Sequence, residues 1–457
     1  AAAGGGRAWF ERQLSPAAIA DPVTASMVSA NWFPVLQKGY AGQWKDHTDG
    51  VRRTWEAGWD LSRLSMVRKI VSTRQVHEMM AEFWLNHLYI PSGEDRSSVH
   101  RSSYEDLVRS HALGTFADLL AAAIVHPAMT GFLTNYQNTA RALNENLGRE
   151  LLELHTVGVG AAYGEDGVKV STRLLTGFTL DAFKTWTPGY DTTKHHVGAV
   201  TVLGRTFAND KPDGRATVEE YLRFLATHER TAARLARKLC VRFVSDTPSD
   251  GIVAAVKAAY LSSGSDIKAS LRALVDHPDF ERSRKAKVRT PVEDVLATAR
   301  AIGAAPTKPS TGSGAEGKSF ATHLGWMAEN MGYRPYTWPR PDGPPDVASA
   351  WTGSSRMLRT WENRFSLAAG WWGSKDVSYA PLATYLPTSW PQRVDAVVDH
   401  VGLQLTGVKP SAAARTAACD LLGRSPADVV QRAADVSEWD MTRVRGVLLN
   451  APENLLR

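Results

Sequence analysis

The chain has 457 residues, of which 43% are hydrophobic and 22% are charged, an ordinary composition for a globular protein with a large buried core. Its formal net charge of +6 arises from 53 basic and 47 acidic residues, an excess too small and too scattered to indicate a nucleic-acid-binding protein. We find no apolar run of the roughly 18 residues that a membrane span needs. The opening residues AAAGGGRAWF resemble a small-residue leader or the product of processing, without an intact signal peptide.

Helical periodicity dominates the first part of the chain. Residues 1–14 look like a short arm. The stretch STRQVHEMMAEFWLNHLY, residues 72–89, holds its apolar side chains at helical spacing and ends just before a Pro-Ser-Gly break. Further helices are predicted over residues 15–36, 50–72, 102–113, 115–126, 144–158 and 166–179.

Beyond residue 180 the composition changes. Residues 182–207 are rich in Thr, Val, Trp, Tyr and Gly, which indicates loop and one or two short strands. A single helix is then predicted over residues 217–244, with His228 near its middle. The segment GYRPYTWPRPDGPP, residues 332–345, contains five prolines and is predicted to be an extended, aromatic-bearing loop. Other helices are predicted over residues 250–262, 266–276, 346–370, 391–405, 411–422, 426–434 and 440–450.

These patterns predict a mainly α protein, with one large multi-helix domain and a small irregular or β insertion around residues 180–207. Residues 1–302 are predicted to form the helical core. A linker and loop region, rich in Pro, Gly and aromatic residues, is predicted over residues 303–345. Residues 346–457 are predicted to form a C-terminal helical part that packs on the core. The two cysteines, Cys240 and Cys419, are compatible with one disulfide or with two buried thiols.

The stretch NENLGRELLELHTVG, residues 144–158, concentrates ionisable side chains on one predicted helix. Glu150 and Glu153 share a polar stripe, and Arg149 lies four residues from an acid on either side. The leucines and His155 form the apolar side, so His155 is predicted to lean toward the core. The plainer interpretation of this stretch is an amphipathic helix with a solvated acidic face.

Six stretches follow one another in a characteristic order. They are FWLNH at residues 83–87, NENLGRELLELHTVG at 144–158, LLTGF at 174–178, HHVGAVTVLG at 195–204, HERTAARLARKLCVRFVSD at 228–246 and GVLLNAPENLLR at 446–457. Together they resemble the bacterial DUF1800 family, a domain of unknown function, from about residue 7 to the C-terminus. The family's motif positions fall on Trp84, Asn86, His87, Asn144, Glu145, Arg149, Glu150, Glu153, His155, Gly177, His195, Gly198, Gly204, His228 and Lys238.

The resemblance implies an extracytoplasmic protein, because family members typically carry export signals, often of the twin-arginine kind. Members are often encoded beside a second, sulfatase-like family, which implies a sulfatase-like partner outside the cytoplasm. Three positions depart from the family pattern. His196 stands where an acid is usual, Val200 stands where a lysine is usual, and Gly148 replaces a better helix former. If the lost acid and lysine bind substrate in other members, the specificity of this chain differs from theirs.

The histidines of this motif set raise the hypothesis of a metal site. Imidazole and carboxylate ligands suit a divalent transition metal such as Zn, Fe, Mn or Cu. The predicted ligands are His87, His195 and His228. The sequence has no HExxH or paired ExxH pattern, and the alternative for each histidine is a buried core or capping residue. With a metal, the protein would be a metal-dependent hydrolase or oxidoreductase.

The second hypothesis is metal-free acid/base chemistry on the central helix. Neighbouring carboxylates repel, so one pKa can rise and leave an acid beside a base. Glu150 is predicted as the acid/base, Glu153 as a second acid or a ligand, Arg149 as the orienting group and His155 as a ligand or proton carrier. The alternative is an Arg–Glu network that ties helices together. Substrate contacts are predicted at Trp84, Asn86, Asn146, His196 and Trp338.

The third hypothesis is a non-catalytic carbohydrate-binding, protein-binding or assembly factor, whose aromatic side chains would stack on sugars or on a partner protein. These side chains are Tyr333, Tyr336, Trp338, Trp351, Trp371 and Trp372. The sequence and the resemblance favour an extracytoplasmic enzyme with a buried Glu/His/Arg centre. Its expected reaction is hydrolysis of an extracellular or cell-envelope polymer such as a polysaccharide, or of a small molecule.

Overall fold

The computed structural model describes residues 5–93, 96–310, 316–371 and 373–457. Helices make up most of this part of the chain, and its strands are two or three residues long, so the predicted mainly α fold with a small β insertion is confirmed. A π-helix, Leu151–His155, directly follows α9. The α-helices are α1 (Gly5–Gln13), α2 (Pro22–Ser29), α3 (Gly39–Thr48), α4 (Thr54–Val71), α5 (Gln75–His87), α6 (Arg101–His111), α7 (Phe116–Ile124), α8 (Pro127–Phe132), α9 (Asn146–Glu150), α10 (Gly164–Leu174), α11 (Arg215–Thr227), α12 (Glu229–Phe243), α13 (Asp250–Ser262), α14 (Ile267–Asp276), α15 (Pro278–Arg282), α16 (Pro291–Ala301), α17 (Phe320–Asn330), α18 (Ser354–Ala368), α19 (Val394–Thr406), α20 (Ala412–Leu421) and α21 (Glu438–Asn450).

The strands form short antiparallel pairs. The predicted insertion around residues 180–207 consists of two hairpins, and two further pairs join segments that are distant in sequence. The pairs are β1 (Phe178–Leu180) with β2 (Pro188–Tyr190), β3 (Val200–Val202) with β4 (Arg205–Phe207), β5 (Ala305–Pro306) with β6 (Val377–Ser378), and β7 (Gln392–Arg393) with β8 (Val429–Val430).

Side-chain caps fix several helix starts that the sequence predicts. Thr115 caps α7, Ser249 caps α13 and Asp266 caps α14. Each of these side chains accepts a hydrogen bond from a backbone N–H in the first turn, which has no partner inside its own helix. The helices predicted at these three places are therefore confirmed.

The prediction of a single helix over residues 217–244 is wrong, because the helix is interrupted at His228. This residue has extended backbone angles, φ −67° and ψ 140°, and its side chain accepts a hydrogen bond from the backbone N–H of Arg230. His228 therefore caps α12, while α11 ends one residue earlier. Helical periodicity continues on both sides of this residue, so the apolar pattern alone does not reveal the break.

Other boundaries also differ from the predictions. Pro22 and Pro34 each begin a new helical segment, so the helix predicted over residues 15–36 is divided. Residues 426–434 contain β8 and a 3-10 turn instead of a helix. The predicted arm contains α1 and the predicted linker region contains α17, both of which have buried side chains. Residues 1–4 and 311–315 of those two regions lie outside the described residues.

Two large apolar clusters fill the interior. The first draws on buried residues between positions 10 and 274, together with Tyr336 from the Pro-rich segment. The second draws on residues between positions 292 and 451, together with Met66 and Ile70 of α4. Because α4 also gives Leu61 to the first cluster, this helix connects the two cores.

The division of the chain at residues 302 and 345 stays a prediction. α16 precedes residue 302, yet its apolar side chains pack in the second cluster. Cys240 lies in the first cluster and Cys419 in the second, and both are buried free thiols. None of the helices in the described ranges is long and apolar enough to cross a membrane.

Candidate functional site

The central helix turns into a π-helix at its C-terminal half. α9 spans five residues, and the next five, Leu151–His155, have π-helical hydrogen bonding. The carbonyl groups at this end find partners outside the helix, since the Thr156 hydroxyl donates to Leu151 O at 2.6 Å and the Arg234 guanidinium donates to Leu154 O. A π-helix is rare and often marks a functional site. Here it directs His155 into the interior, where the side chain is completely buried.

Gly148 lets the central helix approach α10 closely. A Cβ at this position would lie 2.3 Å from the Thr172 hydroxyl oxygen and 2.9 Å from the Thr172 backbone nitrogen. The hydroxyl of Ser171 also donates to Gly148 O at 3.0 Å. The departure from a better helix former is therefore explained by packing, because a side chain at residue 148 would push the two helices apart.

His87 and His155 are joined by two reciprocal hydrogen bonds. His87 Nε2 donates to His155 O at 3.0 Å, and His155 Nδ1 donates to His87 O at 3.1 Å. A carbonyl oxygen only accepts, so each of these ring nitrogens carries a hydrogen, and burial, which disfavours the charged ring, keeps both imidazoles neutral. The pKa of His87 is lowered well below its usual value and that of His155 is lowered to about 3, in both cases mainly by burial. The remaining nitrogen of His155, Nε2, is buried and has no hydrogen-bond partner among the described residues.

Lys238 of α12 extends the His87–His155 pair into a hydrogen-bonded network of three residues. Its Nζ donates to His87 Nδ1 at 3.1 Å, the one nitrogen of that ring left free by His155. Burial, followed by the positive charge of Arg234, lowers the pKa of Lys238 to about 8, against the opposing charges of Asp346 and Asp342. At pH 7 about one-tenth of this amine is therefore unprotonated, a far larger fraction than for an ordinary lysine.

A cavity of about 590 Å³ lies beside this hydrogen-bonded network. Its walls come from α5, α12 and the Pro-rich segment 332–345, with Asn86, His87 and Lys238 among the lining residues. The predicted extended loop is thus the wall that faces the two helices. A concave pocket in which polar groups converge is the usual form of a ligand site.

Gly343 sets how closely the loop approaches α5. Its φ is +75°, and an added Cβ would lie 2.2 Å from Asn86 O. Gly343→Ala is therefore expected to lower the free energy of unfolding by at least about 1 kcal/mol, from the left-handed backbone and the displaced loop. Denaturant unfolding measures the change. Gly6→Ala in α1, where an added Cβ meets no atom within 4 Å, should be neutral or stabilising, and equal effects of the two substitutions would contradict the expected clash.

The predicted Arg–Glu group lies on the outer side of the central helix. Arg149 forms ion pairs with Glu145 at 3.1 Å, Glu153 at 3.5 Å and Glu165 at 2.7 Å. Both predicted pairings at four-residue spacing are therefore present, and α10 supplies the third acid. These side chains are partly or fully exposed, so this network is not the buried centre that the sequence favours.

Glu150 lies apart from that ion-pair network. It is half-buried, and its pKa is raised first by burial and then by the charge of Glu153, with Arg149 opposing and Asp342 adding to the rise. Asp342 belongs to the cavity wall. Glu150 is therefore electrostatically coupled to the loop side of the cavity, although it does not itself line the cavity.

His195 and His228, two of the three predicted metal ligands, make no contact with the His87–His155 pair. His195 is buried in the insertion, where its ring nitrogens contact Thr176 O and Asn209 Oδ1, both at 2.9 Å. His228 caps α12 about 15 Å along the helix from Lys238, at 1.5 Å per residue. Among the described residues, no group of three or more His, Cys, Asp or Glu side chains is placed to hold a metal. The metal stays a prediction.

The predicted substrate contacts are dispersed. Asn86 lines the cavity. Trp84 is buried in the core, where its indole donates to Ala112 O at 3.1 Å. Trp338 is half-buried and its indole donates to Asp342 Oδ1 at 3.3 Å, beside the cavity loop. Asn146 is exposed on α9, and His196 is half-buried in the insertion.

The aromatic side chains of the third hypothesis are also dispersed. Tyr333, Tyr336 and Trp351 are buried and belong to the packing of the two cores. Trp371 is exposed and stacks on Trp439 with ring centroids 6.4 Å apart. Trp372 lies outside the described residues.

Lys238 is the residue whose importance only the structure reveals. In the sequence it is one of many family motif positions, with no assigned role. A local signal exists, because Arg234, Lys238 and Arg242 recur every four residues and share one face of α12. Arg242 is held by Glu82, Glu293 and Asp346. Lys238 differs from these arginines in having an imidazole as its partner.

One family model, described as "Protein of unknown function (DUF1800)", matches residues 1–456. No curated protein and no solved structure matches this chain.

Proposed function

The chain belongs to the DUF1800 family, and we propose that it is an extracytoplasmic enzyme that hydrolyses an extracellular or cell-envelope polymer, such as a polysaccharide, at the cavity beside Lys238. The observation that carries this proposal is the amine of Lys238, held on the neutral imidazole of His87 at the wall of a cavity of about 590 Å³. The extracytoplasmic location and a sulfatase-like partner rest on the family resemblance.

In the proposed reaction Lys238 is the base. Its unprotonated amine takes a proton from a water molecule, and the water oxygen forms the new bond to the electrophilic carbon of the substrate. His87 accepts a hydrogen bond from the amine and so orients it, and His155 holds the ring of His87 in the required tautomer. His87 and His155 are thus positioning residues rather than the ligand and proton carrier that the sequence suggests.

The proposed acid is Glu150. A carboxyl group with a raised pKa retains its proton to higher pH and can give it to the leaving oxygen. Asp342, which raises the pKa of Glu150, lies on the loop wall and Lys238 lies on the opposite, helical wall. Glu150 is on α9 and Lys238 is on α12, so the proposed acid and base come from separate elements. Because Glu150 does not line the cavity, its proton reaches the leaving oxygen through a water molecule in the proposed reaction. The cavity volume of about 590 Å³ lies within the usual range for ligand pockets, so the cavity would hold a short segment of a polymer.

A panel of polysaccharides and peptidoglycan tests this function, with new chain ends and soluble fragments measured by mass spectrometry. The wild-type chain is expected to release fragments from at least one polymer, and Lys238→Met to reduce the rate at least about 100-fold. Lys257→Met, which removes an amine paired with Glu229 at 2.6 Å on α13, is the matched control and should leave the rate unchanged. Metal content is measured on the same preparation, to test the predicted transition metal.

The outcomes of this panel separate the three hypotheses. Fragment release that Lys238→Met leaves intact would contradict the proposed base. Fragment release that requires a stoichiometrically bound metal, and that stops when the metal is removed, would favour a metal-dependent hydrolase. Binding of a polymer without any new chain ends, equal in the wild type and Lys238→Met, would contradict hydrolysis and favour a carbohydrate-binding or assembly role.

A further inference from the structure

We propose that Lys238 condenses with an aldehyde or ketone that enters the cavity and forms an imine through its Nζ. This inference goes beyond the proposed function, because the amine that activates water in the hydrolysis is here itself the nucleophile and reacts with a carbonyl carbon. The open-chain form at the reducing end of a polysaccharide carries such a group.

An imidazole partner distinguishes the buried amine of Lys238 from the lysines of the chain that pair with carboxylates. Lys45 pairs with Asp49 at 2.5 Å, Lys69 with Glu82 at 2.8 Å and Lys257 with Glu229 at 2.6 Å. A carboxylate at this distance holds an ammonium group in its protonated form. Among the described residues, Lys238 has no carboxylate at ion-pair distance, and its hydrogen-bond partner is His87 Nδ1.

The acidic side chains around the cavity are already committed to other cations. Glu82 accepts from Lys69 at 2.8 Å and from Arg242 at 3.1 Å. Asp346 accepts from Arg242 at 3.2 Å, and Asp342 pairs with Arg340 at 3.1 Å. Their charges therefore stabilise the ammonium form of Lys238 only weakly.

The positive charge near Lys238 favours the unprotonated form of its amine. Arg234 lies one helical turn before Lys238 and is held in place by Leu154 O, so a fixed positive charge faces the amine. Burial keeps His87 and His155 neutral, so the two rings add no negative charge. A lysine that is desolvated and placed beside another cation is the usual form of an imine-forming nucleophile, and the lowered pKa of Lys238, about 8, agrees with this arrangement.

The condensation needs no additional reagent. The nitrogen lone pair of Lys238 forms a bond to the carbonyl carbon, and the electrons of the C=O π bond move to the oxygen. The proton released by nitrogen passes to the oxygen, which gives a carbinolamine, while His87 Nδ1 holds the remaining N–H group across the 3.1 Å hydrogen bond. The nitrogen next forms the C=N bond, and the hydroxyl group leaves with a proton as water. Water is the only product released.

Reductive trapping tests the imine. The intact protein is incubated at pH 7 with glycolaldehyde and sodium cyanoborohydride, which converts an imine into a stable secondary amine, and each lysine is quantified by peptide mapping. At a pKa of about 8, about one-tenth of Lys238 is unprotonated at pH 7, whereas the pKa of Lys45 is raised above its usual value by Asp49. Lys238 is therefore expected to be modified at least tenfold faster than Lys45.

Two controls use the same assay. Lys238→Arg keeps a positive charge on α12 but cannot form the imine, so the rapid modification should disappear while the remaining lysines react as before. Wild-type protein unfolded in urea should lose the preference for Lys238, because all lysines then have similar surroundings. Modification of Lys238 no faster than that of Lys45 in the folded protein would overturn the proposal.

Failure of the imine and failure of the hydrolase give different results. If Lys238→Met loses polymer hydrolysis but the wild type shows no trapping at Lys238, the imine is contradicted and the role of Lys238 as general base is supported. Rapid trapping at Lys238 with no hydrolysis of any polymer would support the imine and contradict the proposed hydrolysis.

Discussion

Lowering the pH from 7 to 5 is expected to reduce the free energy of unfolding by about 2 kcal/mol through His155 alone. The pKa of His155 in the folded chain is about 3, mainly because the ring is buried, whereas the unfolded chain has the ordinary value near 6.5. The unfolded state therefore binds a proton first as the pH falls. The stabilising contribution is complete above pH 6.5 and is lost progressively down to about pH 3. Urea unfolding at the two pH values measures the difference.

His87 should add to this loss, because burial also lowers its pKa well below the usual value. His155→Gln is expected to reduce the difference between pH 7 and pH 5 by about 2 kcal/mol, whatever it does to the stability at pH 7. Gly6→Ala, which changes no titratable group, is the control and should leave the difference unchanged. Equal stability of the wild type at pH 7 and pH 5 would contradict the neutral, buried pair.

Asp294→Ala is expected to lower the free energy of unfolding by about 3–5 kcal/mol, as is usual when one partner of a buried ion pair is removed. Asp294 of α16 is 1% exposed and accepts from Arg364 Nε at 2.7 Å and from Arg356 Nη2 at 2.9 Å, both on α18. Arg364 also donates to Leu449 O at 2.6 Å in α21. Without the carboxylate, two buried guanidinium groups lack a counter-charge where three helices meet. Denaturant unfolding measures the loss.

An exposed ion pair on the same helix provides the comparison. Arg359 pairs with Glu362 at 2.7 Å on the outer face of α18. Glu362→Ala should change the free energy of unfolding by less than about 1 kcal/mol, because water screens exposed pairs. A loss below about 1 kcal/mol for Asp294→Ala would show that the buried arginines find other partners.

Local sequence signals predict the helices well where a cap or a proline marks an end. The helices at residues 250–262 and 266–276 match the structure closely because Ser249 and Asp266 are strong caps. His228 is a weaker signal, since histidine caps a helix less often than serine or aspartate. The long helix predicted across it is therefore the clearest error.

The candidate site is only partly predictable. The sequence identifies His87, His155 and Asn86 as motif residues, and it predicts that residue 155 points inward. The four-residue spacing of Arg149 from Glu145 and Glu153 also predicts their ion pairs, because such neighbours are adjacent on any helix. The same periodicity is compatible with a solvent-facing network, but nothing in it indicates that a buried polar centre lies on the opposite side of the helix.

The sequence by itself determines the mainly helical class, the family and the residues on each face of the central helix, because these depend on periodicity and on neighbours a few positions apart. The tertiary structure alone decides that His87 and His155, 68 positions apart, exchange hydrogen bonds, and that Lys238 joins them from α12. It also decides that the Pro-rich segment forms one wall of a cavity that His87 and Lys238 line. Such convergence arises from the packing of distant apolar faces, which no spacing along the chain encodes.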